Sequence, residues 1–112
     1  MDLSEITARA MRVHGLYDEL NEARRGRTWD RQDFVLGFVG DVGDLAKLTQ
    51  AADGVRSAPP GARDLGHELA DCLWSVVVIA DLYGVDLEAA FTTTMRHLEE
   101  SISGELDQEA TR

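Results

Sequence analysis

Phe38-Val39-Gly40-Asp41-Val42-Gly43-Asp44-Leu45-Ala46-Lys47-Leu48 and His67-Glu68-Leu69-Ala70-Asp71-Cys72-Leu73-Trp74 are the stretches that decide how this chain folds. Each sets two carboxylates three residues apart, Asp41 with Asp44 and Glu68 with Asp71. On a helix, residues at i and i+3 lie side by side on one face. Apolar residues surround both pairs: Phe38, Val39, Val42 and Leu45 in the first, Leu65, Leu69, Cys72 and Leu73 in the second. Carboxylates at the edge of an apolar core are costly unless a positive charge neutralises them. An all-oxygen set suits a hard divalent ion, Mg²⁺ or Mn²⁺. The expectation is a metal site of Asp41, Asp44, Glu68 and Asp71 that holds a polyphosphate.

Outward from these pairs the chain reads as helices. Leu3, Ile6, Ala10, Val13, Tyr17 and Leu20 recur at steps of three and four, which predicts a helix over about 4–24 with Ser4 as cap. Arg24, Arg25 and Arg27 follow, with Gly26 as the stop. These arginines read either as a solvated end favoured by the helix dipole or as a phosphate clamp. Trp29 stands in the next connection, as a core lid or a surface for stacking a base.

A second helix is predicted over about 31–52, capped by Asp30, with Phe34, Phe38, Val42, Leu45 and Thr49 on its buried face. Gly37, Gly40 and Gly43 weaken it, and a close helix neighbour or room for a ligand would explain them. A loop containing Pro59-Pro60-Gly61 precedes a third helix over about 62–83. That helix is apolar nearly all round, with Glu68, Asp71 and Ser75 as its one polar line, and such a helix belongs in a core or a subunit interface. Gly84 ends it. Asp86 caps a fourth helix, whose buried side is Leu87, Phe91, Met95, Leu98 and Ile102. The residues from Ser103 read as a polar, frayed tail, so the domain is bounded at 1–103 with a tail over 104–112.

Composition agrees with one all-α domain. The 112 residues are 44% hydrophobic and 6% aromatic, and 21 acidic against 11 basic side chains give a formal charge of −10. That charge opposes binding to nucleic acid polymers or anionic membranes, while a bound metal can still recruit a small anion. The single cysteine, Cys72, rules out an internal disulfide, and a buried thiol in a reducing cytosol is expected. No signal-peptide core is evident, and the longest apolar run, 76–80, cannot span a bilayer.

In order and spacing, Trp29, the two acidic stretches, Ile79-Ala80 and Gly84-Val85-Asp86-Leu87-Glu88-Ala89-Ala90 resemble the MazG-type nucleoside triphosphate pyrophosphohydrolases. The likeness covers about residues 29–98 and looks nearest the compact branch that includes the dCTP pyrophosphatases. It implies a four-helix MazG-like bundle, assembled as a homodimer or homotetramer with its site near subunit contacts. It also implies Mg²⁺-dependent hydrolysis of a nucleoside triphosphate to monophosphate and pyrophosphate. The family's Glu-x-x-Glu falls on Asp41 and Asp44, and its second motif falls unchanged on Glu68 and Asp71. Three features depart from the pattern. The first pair is aspartate, one methylene shorter at each position. Thr94-Met95-Arg96-His97-Leu98 replaces a late lysine and Asn-x-x-Arg-like element. Ala51 stands where a base-stacking aromatic is expected.

Within that frame Asp41 is the expected acceptor of a proton from water, and Glu68 is the second catalytic carboxylate. Trp29, Trp74, Arg27 and Lys47 are the expected substrate contacts. Lys47 also reads as a helical ion-pair partner of Asp44, and Trp74 as core or interface. His67 reads as a supporting or surface residue, since a di-iron bundle would need a second Glu-x-x-His element. A MazG-like module that binds without turnover and a purely structural bundle remain the alternatives.

Overall fold

A computed structural model describes residues 1–112 as four helices and no strand. They are α1 (Leu3–Arg25), α2 (Arg31–Ala52), α3 (Leu65–Leu82) and α4 (Leu87–Ala110). An aspartate opens each one. Asp2, Asp30, Asp64 and Asp86 sit in extended backbone, and each accepts a hydrogen bond from the amide three residues on. A cap of this kind contributes about 1 kcal/mol. Asp2 therefore takes the place expected for Ser4, and α3 begins after Asp64 rather than near Ala62. At α2 the cap is reciprocal, because the Asp33 carboxylate also accepts from the Asp30 amide at 3.0 Å. Gly26 and Gly84 leave their helices at φ 70° and 67°, a left-handed turn that disfavours any residue with a Cβ.

α3 is the hub, packing against both α2 and α1. α2 and α3 run antiparallel: Gln32 at the start of α2 donates to the Tyr83 hydroxyl beyond the end of α3, whereas Asp41, further along α2, meets Ser75. The core is small. Val77 and Val78 of α3 are fully buried, with Ala10 of α1 and Phe34 of α2 around them. Trp74 joins this cluster by donating its indole N–H to the Ala10 carbonyl at 3.1 Å.

The faces the helices turn inward differ from expectation. On α3 the polar line goes in, with Glu68 and Ser75 buried and Asp71 half-buried. The leucine stripe Leu65, Leu69 and Leu73 faces out, together with Val76. On α2 the inward face carries Phe34, Gly37 and Asp41, and Val42 and Thr49 are exposed. The reason is geometric. A helix apolar on nearly every side has no preferred orientation from hydrophobicity alone, and the aromatic cluster under Asp41 sets the roll.

α4 departs further. It continues to Ala110, through residues expected to fray, and none of its side chains is buried. Phe91, Leu98, Ile102 and Leu106 lie open. The result is an elongated shape of 64 × 39 × 27 Å with a radius of gyration of 18.4 Å. A compact domain of this length has a radius near ~13 Å. Thr92, Thr93 and Thr94 are exposed on this arm, so packing within the chain does not hold them.

With so few buried side chains, each matters. Val78→Ala is expected to cost about 2 kcal/mol, read as a lower denaturant midpoint with an unchanged slope.

Candidate metal and nucleotide site

The inward roll of α3 stacks His67, Glu68 and Asp71 at one end of the α2–α3 seam. A ligand atom from each lies within 4.8 Å of the other two. His67 Nε2 is 3.1 Å from Asp71 Oδ2, and both side chains are partly open to solvent. Glu68 is only 8% exposed, and no hydrogen bond or ion pair reaches its side chain. Drawing that charge partway from water carries a cost, although its oxygens are not fully enclosed: the wholly buried, unpartnered side-chain atom of the chain is His14 Nδ1. The place of Glu68 in the first turn of α3, at the positive end of the helix dipole, offsets part of that cost.

Asp41 approaches from α2. The Ser75 hydroxyl donates to its Oδ2 at 3.4 Å, a long bond. The Asp41 carboxyl is held above the usual carboxylate range, first by burial and then by the charge of Asp71 across the seam. Asp44 adds to this repulsion, and the Ser75 hydroxyl opposes it. Asp44 itself is exposed and outside the tight α3 group. Burial also raises the Cys72 thiol, helped by the charges of Asp41, Glu68 and Asp71. Cys72 is half-buried. The seam thus concentrates negative charge that no lysine or arginine pairs with, only the His67 imidazole standing beside Asp71. Oxygen donors from two helices, one of them buried and unpartnered, fit a hard divalent cation.

Beside the carboxylates opens a cavity of about 510 Å³, within the range of small-molecule sites. Asp41, Asp71 and Ser75 belong to its wall. The rest is largely aromatic. Trp74 lies 5.8 Å from both Tyr17 and Phe34, and Trp29 meets Phe34 edge-on at 5.3 Å. Gly37 has a specific reason here: a Cβ on it would come within 2.7 Å of the Trp29 ring. Gly40 and Gly43 have open space around them, so no neighbouring helix of this chain explains them.

Trp29 and Trp74, named from sequence as substrate contacts, both line the cavity. Arg27 does not. It is exposed and pairs with Asp33 at 3.1 Å, bracing the start of α2. Arg25 is the arginine of that run that reaches the cavity, and its guanidinium donates to Asn21 Oδ1 at 3.2 Å. Lys47 is exposed and forms no ion pair with Asp44. Sequence reasoning passed over Asn21, Phe34 and Tyr17 as site residues. The last two were read as stripe positions, and nothing local marks an asparagine on α1 as facing a cavity built by α2 and α3.

The frame is all-helical, with a carboxylate seam beside a cavity that carries four aromatic side chains. The family model of the MazG nucleotide pyrophosphohydrolase domain matches residues 41–101, more than half of the chain and including both acidic pairs. The chain belongs to that family. Compared with curated proteins and with solved structures, it finds no significant match in either. No helix is long and apolar enough to cross a membrane.

The raised Asp41 carboxyl links stability to pH. Its folded pKa exceeds its unfolded value, so its contribution is fully present below the unfolded value and is lost as pH rises through the folded one. In the presence of EDTA, the melting temperature of wild type relative to Asp41→Asn is expected to rise as pH falls from neutral toward the unfolded aspartate value of about 3.9. Asp41→Asn should melt a few degrees higher, on the order of 2–6 °C, near neutral pH.

Proposed function

We propose that the protein hydrolyses a nucleoside triphosphate to the monophosphate and pyrophosphate, with Mg²⁺, or Mn²⁺ in its place, held by Asp41, Asp44, Glu68 and Asp71. The observation that carries this reading is one wall shared by two chemistries: Asp41 and Asp71 line the same cavity as Trp29 and Trp74. A nucleotide has a flat aromatic end and a polyanionic end, and this cavity offers a counterpart to each. The divalent ion supplies the positive charge that binds triphosphate oxygens and offsets charge developing in the transition state.

The chain's own residues do the rest. Trp29 and Trp74 present aromatic surface to the base. Asp41 accepts a proton from the attacking water. The Ser75 hydroxyl orients Asp41. The water oxygen bonds to phosphorus, the bridging anhydride bond breaks, and pyrophosphate leaves. Glu68, buried and unpartnered, fixes the position of positive charge in the seam. Arg25, at the cavity wall, binds a phosphate oxygen, and Lys47 does so from the exposed side of α2. Arg27 holds the α1–α2 connection through Asp33.

A homodimer or homotetramer completes the molecule. The outward stripe of α3 and the apolar side of α4 are open in one protomer, and a second copy covering them supplies the burial a single chain lacks. The reducing cytosol suits a chain with one free cysteine.

Pyrophosphate release across a panel of ribo- and deoxyribonucleoside triphosphates, with Mg²⁺ or Mn²⁺, tests the activity. Turnover is expected with at least one nucleotide and should vanish in EDTA. Glu68→Gln should lower it by at least about a hundredfold while the protein stays folded. Absence of turnover at high protein concentration would leave a binding module or a structural bundle.

Light scattering on a sizing column tests the assembly. The wild type should elute as at least two copies, and Leu73→Glu together with Phe91→Glu should shift it to one. A monomeric wild type would remove the assembly from this account.

A further inference from the structure

The acidic pairs alone describe an all-oxygen site, but the geometry adds a nitrogen. His67, Glu68 and Asp71 bring one ligand atom each to within 4.8 Å of the others. Glu68, a residue only 8% exposed, has no hydrogen-bond or ion-pair partner in the chain, and its carboxylate oxygen is one of the three atoms so grouped. The imidazole stands beside Asp71, Nε2 to Oδ2 at 3.1 Å, so one ion placed between them would take both in exchange for that contact. His67 and Asp71 are four residues apart on one helix, so both reach the same side of α3.

We propose that His67 is a direct ligand of the divalent ion, making the α3 half of the site a mixed nitrogen–oxygen set. This rests on the metal-dependent reading above. A hard ion such as Mg²⁺ gains little from imidazole, whereas Mn²⁺ and Co²⁺ bind it well. The native preference of this site is therefore shifted toward Mn²⁺ or Co²⁺ relative to four carboxylates alone. A competing role for His67 is a hydrogen bond that merely orients Asp71, and in that role its nitrogen never touches the ion.

Pulsed electron paramagnetic resonance on the full chain loaded with Mn²⁺, beside calorimetric titrations with Mn²⁺ and with Mg²⁺, separates the two. Wild type should show nitrogen coupling to Mn²⁺. His67→Ala should abolish it and lower the ratio of Mn²⁺ to Mg²⁺ affinity by about tenfold. His67→Asp should restore binding without nitrogen coupling and move the preference toward Mg²⁺. His67 is exposed on its helix, so neither variant threatens the fold. Wild type that binds Mn²⁺ without nitrogen coupling overturns the ligand role and leaves the proposed hydrolysis intact. Coupling that persists in His67→Ala overturns it as well. If neither ion binds wild type, the metal-dependent reading falls and this inference falls with it.

Discussion

Burial of the Asp41 carboxyl at the α2–α3 seam, opposite the charge of Asp71, is the constraint that shapes this protein. Asp41 and Asp71 face each other across two helices, and Asp44 and Glu68 stand nearby. No lysine or arginine pairs with any of them, and only the His67 imidazole stands against Asp71. The seam closes because apolar contacts further along it, Phe34 against Val77 and Val78, outweigh the repulsion at its acidic end. Packing energy from one end of the helix pair holds an unfavourable charge arrangement at the other. That is how strain is kept at a functional site: the surroundings over-determine it. A cation reverses the sign of the local term, so binding and stability are linked through the same carboxylates.

Much of this was legible in the residues. Helix positions followed from steps of three and four, and their limits followed from Asp30, Asp86, Gly26 and Gly84. The acidic pairs were visible because i,i+3 spacing is a local property. The roll of each helix was not local. α3 has apolar residues on every side, so periodicity could not say that Glu68 and Ser75 face inward while Leu69 and Leu73 face out. The cavity was hidden for the same reason. Its wall draws on Tyr17, Phe34 and Trp74 from three helices, and only their crossing brings the rings together. Residues 103–110 misled in another way. Their polarity suggested a loose end, but Glu, Leu, Gln and Ala are good helix formers and no proline interrupts them.

The outward leucines and the bare α4 are consequences of the same choice. Turning the polar line of α3 toward α2 gives the carboxylates a shared space and a wall beside the aromatic cavity. It also commits the apolar remainder of α3 to the outside, where a protomer with two fully buried side chains can ill spare it. A chain that instead buried Leu65, Leu69 and Leu73 against α2 would gain apolar burial and lose the seam. At about 25 cal/mol for each Å² removed from water, even partial burial of three leucines is worth several kcal/mol. The chain forgoes that gain within one protomer, and under the proposed function a second copy and the ion would each compensate for part of it. Those two sources act at different places, one on the leucine face and one on the carboxylate face of the same helix. Because α3 carries both, an event that rolls it by even a fraction of a turn would change the apolar contact and the donor set together. Assembly and metal binding are on this view coupled through the orientation of a single helix.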